Sequence, residues 1–241
     1  MSHALFNTGG LRFWNEREIM IREHAIGALV ETVKRSLLIL NQGWMIERVE
    51  TPVIMPIKDM SSAYDPLDFF TVEPGLGGDG RSALRAETTL GTYLMAVKML
   101  KDGYCKPPLC VWQAGHSFRT ETSDGATAEK LRFNQFWQLE FQCVYRADSK
   151  ADYVTPTRVE VAATIAHITG LPTRMIPSDR LPTYATETVD IEVLYNDRWT
   201  EVASTSRRTD FPVINPTGPQ LTVFEVAVGL DRLVAARMGR A

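Results

Sequence analysis

His116-Ser117-Phe118-Arg119-Thr120-Glu121 is one of two short segments that indicate the fold and the binding site of this chain most clearly. The other is Phe136-Trp137-Gln138-Leu139-Glu140. Alternate side chains of an extended strand point to the same face. Arg119 and Glu121 of the first segment therefore share one face of a strand. Phe136, Gln138 and Glu140 of the second segment share one face of the returning strand. The predicted hairpin brings one cation, two carboxylates and an aromatic ring into a small volume, which suits a nucleotide.

The composition indicates an ordinary globular protein. Its 241 residues are 44% hydrophobic and 23% charged, enough for one large domain. The net charge of −3 argues against a broad non-specific nucleic-acid surface but leaves room for a local one. Cys105, Cys110 and Cys143 are odd in number without CxxC spacing, which predicts free thiols in a reducing compartment. The first residues do not resemble a signal peptide, and no apolar run nears the ~20 residues of a membrane helix. These features predict a cytoplasmic protein.

Hydrophobic periodicity predicts helices and strands along the whole chain. The predicted helices cover Glu16–Asn41, Asp59–Tyr64, Thr88–Leu100, Thr157–Thr169 and a segment from about Asp231. The predicted strands cover Glu47–Ile54, Leu109–Phe118, Phe133–Tyr145, Thr188–Tyr195, Trp199–Thr205 and Thr222–Val228. The glycine-rich segment 73–80 is predicted to be a flexible loop. Strands dominate the middle of the chain, which predicts an α+β fold with an antiparallel sheet flanked by helices.

The two segments quoted first resemble motif 2 of the class II aminoacyl-tRNA synthetases. Gly43-Trp44 leading to Glu50-Thr51-Pro52-Val53-Ile54 resembles motif 1, and Val228-Gly229-Leu230-Asp231-Arg232-Leu233 resembles motif 3. The resemblance implies one class II catalytic core over residues 1–241, without an anticodon-binding domain. Its motifs would span about 43–54, 116–142 and 223–236.

Further segments are similar to the glycyl-tRNA synthetases. They are Leu84-Arg85-Ala86-Glu87-Thr88-Thr89-Leu90-Gly91, Tyr184-Ala185 with Asp190-Ile191-Glu192, Trp199-Thr200-Glu201, and Arg208-Thr209-Asp210-Phe211. Two positions depart from the glycyl pattern. Ala227 stands where a serine is usual, and Leu90 stands where a glutamine is usual. Alanine, serine or another small amino acid therefore competes with glycine as the expected substrate.

The resemblance implies roles in ATP binding for six residues, one of which, Glu201, would act at the phosphates through a metal ion. Arg119 would bridge the α-phosphate and the substrate carboxylate, because a guanidinium forks onto oxyanions. Glu121 would accept from the adenine amino group, Phe136 would stack on the ring, and Arg232 would cover its other face or reach the γ-phosphate. Arg132 would bind the β- or γ-phosphate. Taken alone, Arg119 could pair with Glu121, Phe136 could be core, and the other two arginines could be solvated.

The resemblance also implies a metal site and an amino-acid site. Glu201 and Ser204 would hold Mg²⁺, as similarly placed residues do in the related seryl enzymes, since Mg²⁺ prefers oxygen ligands. Glu87, Glu140 and Glu225 would surround the α-ammonium of the amino acid. Glu87 has an alternative role as a cap for the helix that begins at Thr88.

The implied activity is ATP-dependent formation of an aminoacyl-adenylate, in the first instance of glycine, and its transfer to the 3′ end of tRNA at the acceptor stem. The motif 1 resemblance further implies a homodimer. A stand-alone paralogue that charges a carrier protein, and a non-catalytic regulatory paralogue, are the alternatives.

Overall fold

The computed structural model describes residues 7–8, 11–60, 69–72, 81–120, 131–179, 181, 185–208 and 220–239. The helices are α1 (Glu16–Leu40), α2 (Ile57–Met60), α3 (Thr88–Lys101), α4 (Val154–Thr169) and α5 (Leu230–Met238). The first six strands are β1 (Asn7–Thr8), β2 (Leu11–Arg12), β3 (Met45–Arg48), β4 (Ile54–Pro56), β5 (Thr71–Val72) and β6 (Ser82–Leu84). The others are β7 (Leu109–Phe118), β8 (Gln135–Arg146), β9 (Thr173–Pro177), β10 (Ala185–Tyr195), β11 (Arg198–Arg208) and β12 (Leu221–Gly229).

A seven-stranded sheet in the order β3-β7-β8-β12-β11-β10-β9 forms the centre of the molecule. Its strand pairs are antiparallel except β3 with β7, which is parallel. Helices α1, α4 and α5 cover one face with a buried apolar core. The α+β prediction, an antiparallel sheet flanked by helices, is confirmed.

The alternation along β8 separates the core from the opposite face of the sheet. Leu139 and Phe141 belong to the apolar core under the helices. Gln138, Glu140 and Gln142 point to the opposite face and are buried there. Val144, farther along the same face, packs in an apolar cluster under α3. The part of this face around Glu140 is buried and polar, which is typical of a binding site rather than of a packed core.

Helix α1 begins where predicted because Asn15 and Glu18 form a capping box. The Asn15 side chain accepts from the Glu18 backbone N–H at 3.0 Å, and the Glu18 carboxylate accepts from the Asn15 N–H at 3.1 Å. Glu18 also pairs with Arg12 at 2.7 Å, so the segment before α1 is held to the helix.

The predicted strand Glu47–Ile54 is wrong in its extent. The structure has β3 up to Arg48 and the separate β4 from Ile54, in a different sheet. Between them the buried Arg85 guanidinium donates to the carbonyl oxygens of Thr51 at 2.9 Å and Pro52 at 3.5 Å. The Arg85 side chain therefore occupies carbonyl oxygens that a strand would use, and Pro52 has no backbone N–H to donate. For these reasons the strand hydrogen bonding ends before Pro52.

Two other differences have local causes. Helix α4 begins at Val154, three residues before the predicted start, because Asp152 accepts from the N–H groups of Val154 and Thr155. Strand β9 was not predicted, since its five residues lack a clear alternation.

Helix α2 ends at Met60, and residues 61–68 and the predicted loop 73–80 lie outside the described residues. Among the helices of the described ranges, none is long and apolar enough to cross a membrane.

Candidate active site

A cavity of about 520 Å³ opens on the polar face of the seven-stranded sheet. Strands β8, β12, β11, β10 and β9 line it, together with the starts of α3 and α5 and the segment 131–133. Eight of the side chains that the sequence predicted to bind substrates line this cavity: Glu87, Arg119, Arg132, Phe136, Glu201, Ser204, Glu225 and Arg232. The fold therefore gathers residues that are far apart in the chain.

Two other predicted residues are not on the cavity surface that the structure describes. Glu140 is fully buried on β8, beneath the cavity. Glu121 lies outside the described residues.

The hairpin of β7 and β8 positions Arg119 over Phe136. Ser117 pairs with Phe136 in the register, and the Arg119 N–H donates to the Asn134 carbonyl at 2.9 Å. The Arg119 guanidinium carbon lies 5.4 Å from the centre of the Phe136 ring. Arg119 also forms an ion pair with Glu87. The ring that was predicted to stack on adenine is thus covered by an arginine.

Glu87 occupies the position before α3 without capping that helix by its side chain. The first N–H of α3, on Thr88, donates instead to Ser117 Oγ and Gln138 Oε1, each at 3.1 Å. Both acceptors come from the sheet. The Glu87 carboxylate lines the cavity and pairs with Arg119.

A β-bulge explains how Glu201 and Ser204 share a face although they are three residues apart. Glu201 pairs with Glu192 and Ala203 pairs with Ile191, so Val202 is an extra residue on β11. The extra residue reverses the alternation locally. Both Glu201 and Ser204 consequently line the cavity.

Arg232, at the start of α5, is held at one end of the cavity. Its guanidinium donates to the Leu131 carbonyl at 3.1 Å and to the Glu201 carbonyl at 3.0 Å, and it contacts the Glu201 carboxylate at 3.3 Å. The Glu201 carboxylate is directed to Arg232, whereas Ser204 lies opposite Ala227 in the register of β11 with β12. No three His, Cys, Asp or Glu side chains in the described ranges are arranged to hold a metal ion. The proposed Mg²⁺ ligands stay a prediction.

A buried network underlies the middle of the cavity. Glu225 pairs with Arg208 at 2.9 Å, and both are at least nine-tenths buried. Gln142 Nε2 donates to Glu140 at 2.7 Å and to Glu225 at 3.1 Å. Burial, followed by the nearby charge of Glu225, raises the pKa of Glu140 well above its usual value. The same burial leaves Glu140 dependent on its hydrogen bond from Gln142, while Glu225 is paired with Arg208.

Sequence reasoning did not assign a role to Asp231. Its side chain lines the cavity and is only 1% exposed, and its Oδ2 accepts from the Trp137 N–H at 2.5 Å. Burial raises the pKa of Asp231 to about 7, against the opposing effects of that hydrogen bond and of Arg12 and Arg22. Asp231 thus ties the start of α5 to β8, and no pattern in the sequence announces that contact.

Asp190 was also missed as a site residue. It lines the cavity on β10, is 8% exposed, and lies opposite Ser204 in the register. Burial raises its pKa to about 6, a hydrogen bond from Ser178 opposes the rise, and the charge of Glu201 adds to it. In the sequence, Asp190 contributes only to the resemblance to the glycyl-tRNA synthetases, and no binding role was predicted for it.

Solved structures with the same architecture identify the fold. A prolyl-tRNA synthetase from Cryptosporidium parvum, complexed with halofuginone and AMPPNP, superposes with a TM-score of 0.76 at 13% identity. A Giardia lamblia prolyl-tRNA synthetase in complex with prolyl-adenylate gives a TM-score of 0.71 at 18% identity. Each match covers 96% of this chain and 48% of the other chain. The chain has the fold of a class II aminoacyl-tRNA synthetase catalytic core.

The chain is also similar in sequence to glycine--tRNA ligases. The glycine--tRNA ligase of Mycolicibacterium paratuberculosis is 28% identical over 141 residues, which are 55% of this chain and 30% of that protein. The glycine--tRNA ligase of Corynebacterium efficiens is 25% identical over 179 residues, which are 68% of this chain and 38% of that protein. The matched stretch is about a third of the length of these curated relatives. No protein-family profile matches the chain.

Proposed function

We propose that this protein uses ATP to activate a small amino acid as an aminoacyl-adenylate and transfers it to the 3′ end of tRNA. The observation that carries the proposal is the convergence of Arg119, Phe136 and Glu225 in one cavity. An arginine for the reacting anions, an aromatic ring for adenine and a buried carboxylate for an ammonium are the groups that this reaction needs. The glycine--tRNA ligase relatives support the same reaction and make glycine the reference substrate.

The chemical step joins a carboxylate oxygen of the amino acid to the α-phosphorus of ATP and releases pyrophosphate. Both reactants are anions, so the enzyme must align them and offset the charge that accumulates at phosphorus. Arg119 would contact both reactants. Phe136 would stack on adenine, with Glu121 at its amino group, while Arg232 and Arg132 would face the ring or the terminal phosphates.

Arg119 and Glu87 form an ion pair at the cavity. Each side chain neutralises the other, and Arg119 lies over Phe136. Substrate binding would break the ion pair between Arg119 and Glu87. The Arg119 guanidinium would then contact the α-phosphate of ATP and the carboxylate of the amino acid. Glu87 and Glu225 together would bind the α-ammonium of the amino acid. Glu140, beneath them, would act on the ammonium through Glu225.

Glu201 fits a role in holding Mg²⁺. It presents a carboxylate at the Arg232 end of the cavity, and oxygen ligands from one carboxylate and from substrate phosphates suit this ion. When bound there, Mg²⁺ would offset the negative charge of the phosphates. Ser204 was predicted as its second ligand. The predicted homodimer likewise stays a prediction, and light scattering at micromolar concentration tests it.

Amino-acid-dependent ATP–pyrophosphate exchange tests the proposal directly. The wild-type chain should exchange with at least one small amino acid and should then charge total tRNA. Arg119→Ala should lower the exchange rate by about 100-fold or more, because charge stabilisation at the reacting centre is lost. Arg146→Ala, which removes an exposed arginine far from the cavity, is the matched control. Wild-type exchange by a folded Arg119→Ala variant would remove Arg119 from the mechanism, and no exchange with any amino acid would end the proposal.

A further inference from the structure

The cavity continues past the position expected for the amino-acid backbone. The registers of four adjacent strands place Ala227, Ser204, Asp190 and Ile176 side by side, and all four line the cavity. Adjacent strands lie about 4.8 Å apart, so Asp190 is about 10 Å from Ala227 along this row. The row forms a groove that leads away from Glu225.

The polar members of the row are Ser204 and Asp190, and they differ from two carboxylates beside the row that are already paired with arginines. Glu192 pairs with Arg174 at 2.7 Å, and Glu201 pairs with Arg232 at 3.3 Å. Asp190 is at least nine-tenths buried and accepts a hydrogen bond from Ser178, but it forms no ion pair within the described part of the chain. The Ser204 hydroxyl likewise forms no hydrogen bond with any residue that the structure describes. A buried carboxylate without a cation is costly unless a ligand supplies one.

The residue at the start of the row makes room for a side chain. Ala227 is opposite Ser204, and its side chain is a single methyl group. This small side chain leaves space above β12, while the hydroxyl is offered by the next strand. Ser204 lies between Ala227 and Asp190 in the row, so its hydroxyl is one strand farther from Glu225 and β12.

We propose that this groove selects a short diamino acid, whose side-chain ammonium binds between Ser204 and Asp190. The proposal rests on the amino-acid activation proposed above and names its substrate class. In 2,4-diaminobutyrate the terminal nitrogen reaches about 4 Å from the α-carbon at ordinary bond lengths of about 1.5 Å. With the α-carbon above Ala227, that nitrogen lies above Ser204 and can donate to its hydroxyl and to the Asp190 carboxylate. Lysine, two methylenes longer, would extend its ammonium towards the apolar Ile176.

The test compares 2,4-diaminobutyrate with norvaline in ATP–pyrophosphate exchange by the full chain at neutral pH. These two amino acids have nearly the same shape, and only the first ends in an ammonium. Because a hydrogen bond to a charged group is worth a factor of about ten or more, kcat/KM should favour 2,4-diaminobutyrate at least tenfold. In Asp190→Asn this ratio should fall about tenfold, while in the exposed Asp148→Asn it should stay as in the wild type.

The outcomes separate this inference from the activation that it rests on. Exchange with glycine, together with equal or better use of norvaline than of 2,4-diaminobutyrate, would overturn the diamino-acid inference and leave activation standing. Exchange with no amino acid at all would overturn both. The wild-type ratio alone decides the inference if the Asp190→Asn variant does not fold.

Discussion

Replacing Asp231 by asparagine removes a buried charge while keeping the shape of the side chain. Asparagine Oδ1 can still accept the hydrogen bond from the Trp137 N–H that Asp231 accepts at 2.5 Å. In the wild type, burial raises the pKa of Asp231 from 3.8 to about 7. That rise corresponds to about 4 kcal/mol, at about 1.4 kcal/mol for each tenfold change in proton affinity.

The sign of the pH dependence follows from which state holds the proton. Below pH 3.8 Asp231 is protonated in the folded and unfolded chains and has no effect on their balance. Between pH 3.8 and about 7 the folded protein keeps the proton that the unfolded chain releases, so stability falls as pH rises. Above this range the carboxylate is ionised in both states, and the full cost is present.

The Asp231→Asn variant should therefore match the wild type at pH 4 and exceed its free energy of unfolding by up to about 4 kcal/mol at pH 8. For a chain of this size the difference corresponds to a rise in Tm of about 10 °C. Urea unfolding at intervals from pH 4 to pH 8 measures it, with Tm as a second readout. Asp148→Asn is the control, since the Arg146 hydrogen bond lowers the pKa of the exposed Asp148 carboxyl below this range.

A second variant separates the charge from the hydrogen bond. Asp231→Ala leaves the Trp137 N–H without its acceptor and should cost about 1–3 kcal/mol relative to Asp231→Asn at every pH. If Asp231→Asn is less stable than the wild type at pH 8, the carboxylate is ionised and stabilising beside Arg12 and Arg22. Burial would then not dominate its pKa, and the reasoning would be refuted.

Phe136→Ala should raise the KM for ATP about tenfold or more in pyrophosphate exchange, since stacking of a base on an aromatic ring is worth about 1–3 kcal/mol. Phe136→Trp should keep the KM near the wild-type value, and an unchanged KM in the alanine variant would place adenine elsewhere. Gly91→Ala should lower the free energy of unfolding by about 1–3 kcal/mol in urea, despite the better helix propensity of alanine, because its Cβ would overlap Thr51. Gly27→Ala in α1 meets no atom within 4 Å and should be neutral or stabilising, and equal effects of the two changes would disprove the steric argument.

The sequence predicted the parts of the site that lie within single motifs. Alternation within the hairpin predicted that Arg119 and Phe136 would be neighbours, and the structure brings them to 5.4 Å. Periodicity predicted α1 and β7 to within a residue. These results depend on contacts between residues close in sequence, where the pattern of side chains carries the information.

The contacts that sequence reasoning missed depend on the register between distant strands. Asp190 meets Ser204, and Ser204 meets Ala227, only because three strands align in one particular way. The bulge at Val202 shifts which residues of β11 face the cavity, and no local pattern marks it. The bond between Asp231 and Trp137 likewise joins a helix start to a strand. Such pairs follow from the assembled sheet and not from spacing along the chain.

The start of α3 has a consequence for how the substrate range of this protein can change. Ser117 and Gln138, from the sheet, hold the first turn of that helix, so residue 87 is not required to hold it. The Glu87 carboxylate pairs with Arg119 instead, so a change at residue 87 acts on the charge of the cavity rather than on the start of the helix. Randomising residue 87 should thus change the charge around Arg119 in the cavity while the first turn of α3 stays held by the sheet.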